Sequence, residues 1–167
     1  MVDEKLVRDA QSGDEAAFAR LVEACYDSIY RLALRWAGSR ADAEDIAQIV
    51  CVKLGQSIRS FRFDAKFSTW LYQIVLNCAR DWSRSQKRHL HDELEQEPAA
   101  HSSGADAGIQ LRQVLTKVAR MGEGYRETLL LVFAEGLSHA EAALILKVKE
   151  STVSWRIHEI RKQLSET

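Results

Sequence analysis

Apolar side chains recur at three- and four-residue steps along most of the chain, the spacing that places them on one face of an α-helix. The first such stretch follows Asp14, which can cap a helix that ends before Gly38. Further helices are predicted over about 41–55 and about 69–86. The aromatic and basic segment 57–66 between them has no helical period and predicts a loop.

Each of these helices has a predicted core-facing stripe. The stripe is Phe18, Leu21, Val22, Cys25, Ile29, Leu32, Ala33 and Trp36 in the first helix, and Ala43, Ile46, Ala47, Val50 and Leu54 in the second. In the third helix, which Ser68 can cap, it is Leu71, Ile74, Val75, Cys78 and Trp82. Opposite its core stripe the second helix carries Asp45, Gln48, Ile49 and Val52. This contiguous set predicts either a docking surface or a face that another helix of the same domain covers.

The helical pattern stops between residues 88 and 108, where the chain is polar, acidic and rich in small residues. Such a segment buries too little apolar surface to offset the entropy of ordering it. It therefore predicts a flexible linker between two small domains, residues 1–87 and 109–167. The predicted fold class is all-α, with a helical bundle in the first domain and a helix-turn-helix in the second.

The second domain has the pattern of a helix-turn-helix. Apolar periodicity resumes near Ile109, continues over 125–135, breaks at Gly136 and returns in short helices over about 139–146 and 151–164. A short helix, a tight connection and a second helix with polar and basic residues outward favour a DNA-binding unit whose last helix fits the major groove. A plain helical hairpin that closes a small bundle is the alternative.

Two local signals bear on that choice. Ser138 and Glu141 have the spacing of a capping box at the start of the first short helix. The outer side of the last helix carries Ser151, Trp155, His158 and Lys162, with Ser154, Arg156 and Arg161 on its flanks. An exposed tryptophan beside basic residues favours DNA binding, whereas Glu159 on the same side argues mildly against it.

The segment 59–91 combines positive charge with aromatic residues. It holds seven Lys or Arg against two Asp or Glu, although the whole chain has a net charge of −1. A polar and basic stripe follows one face of the third helix, namely Thr69, Gln73, Asn77, Arg80, Arg84 and Lys87; the loop before it adds Phe61, Arg62, Phe63 and Lys66. Aromatic rings among cations suit a single-stranded nucleic acid, while a solvated helix face is the simpler alternative. We expect Phe61 and Phe63 to stack on bases and Phe67 and Trp70 to fill the core.

Other function classes have little support. Three cysteines, at positions 25, 51 and 78 and without CxxC spacing, argue against a disulfide framework and a zinc site. We expect no cofactor and no catalytic residue; a metal-dependent enzyme using His89, His91 and His101 is a weak alternative, since these lie at or in the presumed linker. No signal peptide or apolar run of membrane-spanning length is evident, so we expect a cytoplasmic protein without membrane insertion.

Three segments together resemble a sigma factor of the extracytoplasmic-function (ECF) group, the minimal kind of sigma-70 protein with regions 2 and 4 only. ADAEDIAQ at 41–48 is similar to region 2.2. FRFDAKFSTWLYQIVLNCARDWSR at 61–84 is similar to regions 2.3 and 2.4, and the segment 124–164 is similar to region 4. The resemblance covers nearly the whole chain, in the family's order.

The resemblance implies partners and roles. Asp45, Gln48, Ile49 and Val52 are expected to bind the β′ clamp helices of the RNA polymerase core, and the β flap is a further expected contact. The −10 promoter element is expected to be read and held open by Phe61, Arg62, Phe63, Lys66, Thr69, Gln73, Asn77, Arg80 and Arg84. The −35 element is expected to be read by Ser151, Thr152, Ser154, Trp155, Arg156, His158 and Lys162. A controlling anti-sigma factor is expected as well.

The chain departs from the family pattern at several positions. Ile49, Val50 and Cys51 stand where an acid and soon an aromatic residue are usual, and Gly55 stands where tryptophan is common. These departures put the detailed polymerase contacts in doubt. The remaining alternative function is a stand-alone helix-turn-helix regulator, which would bind duplex DNA without polymerase.

Overall fold

The computed structural model describes residues 2–92 and 106–166, with side chains for 2–89 and 110–166. Its helices are α1 (Glu4–Gln11), α2 (Glu15–Ala37), α3 (Arg40–Ser57), α4 (Phe67–Asp92), α5 (Asp106–Ala119), α6 (Tyr125–Leu129), α7 (His139–Leu146) and α8 (Glu150–Ser165). A 3₁₀ turn spans Ile58–Ser60, and a π-helical turn spans Leu130–Ala134. The all-α prediction is confirmed, since no strand occurs in the described part of the chain.

The chain divides into two compact units, and the boundary falls inside α4, between Ala79 and Arg80. The predicted domain limits at residues 87 and 109 stay a prediction. Most of the predicted linker, 93–105, lies outside the described residues.

Both ends of α4 differ from the sequence prediction. The helix begins at Phe67, so the expected cap at Ser68 is wrong, and the Lys66 carbonyl accepts the backbone N–H of Trp70 at 3.3 Å. At its other end α4 continues to Asp92, beyond the predicted end near residue 86. Its last turns are rich in residues of high helix propensity, such as Gln86 and Lys87, and these extend a helix without an apolar stripe.

The first unit is built around α2 and α3, with α1 packed on α2. Asp14 accepts the backbone N–H of Ala17 at 3.0 Å, and Gly38 ends α2 in the left-handed conformation with φ 74°. Both predicted ends of this long helix are therefore confirmed. All five residues of the predicted α3 stripe are buried, and the α2 stripe is buried apart from Phe18 and Val22, which are half-buried.

Helix α1 was not foreseen from the apolar pattern. Asp3 caps it, and Val7 and Ala10 are its buried residues. Its three apolar residues, Leu6, Val7 and Ala10, are too few for a recognisable period. Its place in the core comes from contact with α2.

The second unit contains the helix-turn-helix that the sequence predicts. The capping box is present: Glu141 donates its backbone N–H to Ser138 Oγ at 3.2 Å, and Ser138 donates its own to Glu141 Oε2 at 3.0 Å. Lys147 ends α7 in the left-handed conformation with φ 55°. In α8, Val153, Ile157 and Ile160 are buried as predicted. Among the described helices, none has the length and apolarity needed to cross a bilayer.

Candidate nucleic-acid interface

Four aromatic rings form a cluster centred on Phe61. Phe61 and Phe63 belong to the loop before α4, residues 61–66, which we call the aromatic loop, and Phe67 and Trp70 belong to the first turn of α4. The Phe61 ring centroid lies 4.7 Å from that of Phe63, 5.5 Å from that of Phe67 and 5.2 Å from that of Trp70. Phe61 is only 6% exposed, whereas the other three rings are half-buried. The expectation that Phe61 offers a stacking face is therefore wrong, whereas Phe67 and Trp70 pack against Phe61 and against each other. Phe61 follows the 3₁₀ turn, and its ring packs among the other three.

Phe63 remains a ring that a base could reach. Its backbone has φ 62°, in the left-handed region that phenylalanine rarely adopts. The guanidinium carbon of Arg8, on α1, lies 4.1 Å from the centre of the Phe63 ring. The neighbouring cations of the loop, Arg62 and Lys66, are exposed. The loop thus presents one accessible ring beside several positive charges.

The polar stripe of α4 is accessible to different degrees along its length. Asn77, Arg84 and Lys87 are exposed, while Thr69, Gln73 and Arg80 are half-buried. Arg84 lies 3.7 Å from Asp81, in an exposed pair that contributes little to stability.

Arg80 makes an ion pair with a buried carboxylate. Within the second unit, its Nε donates to Oε1 of Glu127 at 2.5 Å, and the Glu127 side chain is only 6% exposed. The predicted contact between Arg80 and DNA would therefore have to compete with a charge-assisted hydrogen bond.

The outer face of α3 is open to solvent. Ile49 is 44% exposed and Val52 is 62% exposed, and Asp45 and Gln48 are exposed beside them. The alternative in which another helix of the same domain covers this face is therefore wrong. Two exposed aliphatic side chains beside a carboxylate and an amide form a surface suited to a partner protein.

The outer face of α8 is centred on Trp155, which is 56% exposed. Ser151, Ser154, His158 and Lys162 are exposed around it, while Thr152 and Arg156 are half-buried. Nδ1 of His139 and Oγ of Ser154 share a hydrogen bond of 2.8 Å, which connects the two helices of the helix-turn-helix.

Tyr125 supports two of the residues on this face. The Trp155 and Tyr125 rings pack edge to face, with their centroids 5.9 Å apart. The guanidinium carbon of Arg156 lies 5.8 Å from the centre of the Tyr125 ring. Arg156 therefore packs on its own domain as well as bordering the recognition face. The sequence pattern gave no sign of this second contact.

The cysteines are free thiols. Burial raises the pKa of the Cys25 thiol to about 11, and burial also raises the pKa of the half-buried Cys51 thiol. Both shifts suppress the reactive thiolate at neutral pH. The part of the chain that the structure describes contains no group of three potential metal ligands; the side chains of His91 and His101 lie outside it.

Sequence reasoning missed two residues at the aromatic loop, Arg8 and Gln11. Both lie on α1, about 50 residues before the loop they contact. Their spacing within α1 carries no signal of that contact.

Comparison with known proteins identifies the family to which the chain belongs. Residues 21–89 match sigma-70 region 2, and residues 111–164 match sigma-70 region 4. The ECF RNA polymerase sigma factor SigW of Bacillus subtilis is 32% identical, and the match covers 98% of this chain and 97% of SigW.

Solved structures show the same fold. CnrH, solved in complex with the cytosolic domain of CnrY, has a TM-score of 0.71 at 27% identity, with 98% of this chain and 95% of CnrH covered. The sigma factor RpoE, solved with the anti-sigma factor NepR from Bartonella quintana, has a TM-score of 0.64 at 23% identity. The match covers 89% of this chain and 94% of RpoE. From its two matched regions and its full-length similarity to SigW, the chain belongs to the sigma-70 family and is a member of its ECF group.

Proposed function

We propose that this chain is an alternative sigma factor, which binds the core of RNA polymerase and directs it to promoters with matching −35 and −10 elements. The observation that carries the proposal is the presence of both sigma regions, in order, in a chain that an ECF sigma factor matches along 98% of its length. The exposed faces of α3, α4 and α8 supply one surface for each task.

The first unit and the part of α4 that follows Ala79 are proposed to hold the −10 element open. A base that leaves the duplex costs a few kcal/mol of stacking and pairing. Phe63 is proposed to recover part of this cost by stacking on the base, and Asn77 by a hydrogen bond to it. Arg62, Lys66 and Arg84 would follow the phosphates of the melted strand. The half-buried Thr69 and Gln73 border the same stripe.

The second unit is proposed to read the −35 element as duplex DNA. Helix α8 would enter the major groove, where side chains near its start reach base edges. Ser151, Ser154 and Trp155 are exposed near that start, and Thr152 is half-buried among them. Farther along the helix, His158 and Lys162 would meet the backbone phosphates.

The outer face of α3 is proposed to dock on the β′ clamp helices of the polymerase. Ile49 and Val52 would supply buried apolar area there, and Asp45 and Gln48 polar contacts at its edge. The β flap is a further proposed contact. An anti-sigma factor that covers these faces would keep the protein inactive.

The chain itself is proposed to carry out no chemistry. RNA synthesis would take place in the active site of the polymerase, in the cytoplasm. The contribution of this chain is binding energy directed at one promoter sequence.

In vitro transcription with purified core polymerase tests the proposal. A library of random promoter sequences is transcribed with and without the full chain, and the transcripts are sequenced. We expect the chain to select promoters that share two conserved elements, and core alone to select none. If the chain instead binds duplex DNA by itself and does not change which sequences the polymerase transcribes, the protein is a stand-alone helix-turn-helix regulator.

A further inference from the structure

Helix α1 lies ahead of the segment that matches region 2, which begins at residue 21, yet it contacts the aromatic loop directly. The side-chain nitrogen of Gln11 donates to the carbonyl of Ile58 at 2.9 Å and to the carbonyl of Phe61 at 2.7 Å. These carbonyls stand at the first residue of the 3₁₀ turn and at the residue that follows it. One amide therefore ties together both ends of the turn from which the aromatic loop leaves.

A second contact from α1 reaches the side chain of the loop. The guanidinium carbon of Arg8 lies 4.1 Å from the centre of the Phe63 ring, within the range of a cation–π interaction. Arg8 and Gln11 are three residues apart and so lie on the same side of α1. The helix thus holds the loop at its backbone through Gln11 and at its ring through Arg8.

The conformation of Phe63 explains why such contacts matter. At φ 62° the Cβ atom of an L-residue crowds the neighbouring carbonyl, so this conformation persists only where surrounding contacts hold it. The Phe61 ring contacts Phe63 on the inside of the loop, with centroids 4.7 Å apart. Arg8 supplies a contact from α1.

Another cation of α1 has no such contact with the loop. Lys5 pairs with Asp9 four residues along the helix, as Arg8 pairs with Glu4. Both pairs are exposed and weak. What distinguishes Arg8 is its position over the Phe63 ring, so the two cations form a matched pair for experiment.

We propose that α1 is a functional part of the −10 recognition site. Gln11 is a positioning residue that fixes the backbone of the aromatic loop, and Arg8 holds the Phe63 ring in the position in which it receives an unpaired base. This inference rests on the proposed function, because it takes the loop to bind a base of the melted −10 strand.

The test uses holoenzyme made from core polymerase and the full chain. Its probe is a single-stranded oligonucleotide that carries the −10 sequence selected by the wild-type protein from a random library. Gln11→Glu replaces the donating amide with a carboxylate that faces two carbonyls. We expect this variant to bind the oligonucleotide about fivefold to tenfold more weakly and to bind core polymerase as the wild type does. Gln113→Glu, at an exposed position of α5, adds the same charge and should leave both affinities unchanged.

Arg8→Gln tests the ring contact without a risk to folding, since the Arg8 side chain is 59% exposed. We expect it to weaken oligonucleotide binding about threefold to fivefold. Lys5→Gln also removes one cation and one exposed ion pair from α1, and it should have a smaller effect. Equal losses for the two variants would show that only charge matters and would overturn the role of Arg8.

Abasic substitution separates positioning from general stability. In the wild type, removing the captured base from the oligonucleotide should weaken binding about tenfold, whereas in Gln11→Glu and Arg8→Gln the same removal should have much less effect. If the wild type responds to the missing base and both variants respond equally, α1 does not position the loop and the inference is wrong. If no abasic position affects the wild type, the proposed base capture fails and the inference fails with it.

Discussion

The guanidinium group of Arg156 lies directly beside Gly124, where a Cβ atom on residue 124 would be 2.5 Å from Nη1. Gly124 has φ 83° and precedes α6, and its carbonyl accepts the Thr128 hydroxyl at 2.6 Å. Glycine is therefore favoured at this position for its backbone conformation, and an added side chain would displace the flexible guanidinium end of Arg156. This packing connects the start of α6 to α8.

Gly124→Ala should lower the free energy of unfolding by about 1–2 kcal/mol, because left-handed alanine is strained and the flexible guanidinium end of Arg156 must also move aside. Gly136→Ala is the matched control, since Gly136 has φ 69° with no atom within 4 Å of its added Cβ. The free energy of unfolding of that variant should fall by only about 1 kcal/mol. Urea unfolding of the full chain measures both. Equal losses of unfolding free energy in the two variants would show that the Arg156 side chain moves aside at no energetic cost. In an Arg156→Ala background, the loss caused by Gly124→Ala should fall to that of the control.

Val52→Asp should weaken binding to core polymerase by at least about tenfold, because it places a charge where an exposed aliphatic side chain is proposed to be buried. Fluorescence anisotropy of labelled protein with core measures the affinity. The unfolding midpoint should not change, since Val52 is 62% exposed. Gln113→Asp, on α5 and outside the proposed docking face, controls for the added charge. Unchanged affinity in Val52→Asp would remove α3 from the interface.

Asn77→Ala should reduce promoter opening by about tenfold while core binding stays as in the wild type, because its proposed hydrogen bond forms only with a base of the melted strand. Permanganate reactivity of thymines in the −10 element measures the opening. A parallel loss of core binding would contradict the assignment.

Arg80→Ala should also reduce promoter opening, and it should have a second effect, on stability. It removes the hydrogen bond to Glu127, whose side chain is only 6% exposed, and so leaves a buried carboxylate without that contact. We therefore expect Arg80→Ala to lower the unfolding midpoint as well, as urea unfolding of the full chain can measure.

Trp155→Ala should change which −35 sequences are preferred. The Trp155 ring is 56% exposed and its orientation is supported by the edge of Tyr125. Sequencing of transcripts from a promoter library gives the preference of each variant. Tyr125→Ala, which removes the support but leaves the tryptophan, should weaken the same preference. An identical preference in the wild type and Trp155→Ala would exclude a reading role.

Cys25 should resist alkylation by iodoacetamide at pH 7.5 in the folded protein. Burial raises its pKa to about 11, so the thiolate becomes abundant only at a pH well above neutrality. The buried position of the thiol also blocks access of the reagent. Cys51, half-buried and with its pKa also raised, should react slowly. In urea both should react readily, as mass spectrometry can show. Rapid labelling of Cys51 at pH 7 would instead favour a redox role.

Several features follow from the sequence because they depend on neighbours within one turn of a helix. The stripes of α2 and α3, the caps at Asp14 and Gly38 and the capping box at Ser138 are set by local spacing, and the structure contains each of them. The outward side of α8 follows from the same spacing, whereas the spacing in α3 left open whether another helix covers its outer face.

Other features depended on contacts between distant parts of the chain. Gln11 reaches carbonyls 47 and 50 residues away, and Arg80 reaches Glu127, also 47 residues away. Which of four aromatic rings is buried was decided by such packing, so the assignment of Phe61 from sequence failed. Periodicity specifies which side of a helix is apolar but not what that side meets. The sequence alone therefore determined the long periodic helices and their apolar stripes. Only the tertiary structure decided the place of α1 and how it meets the aromatic loop, since that depends on where separate helices come together in space.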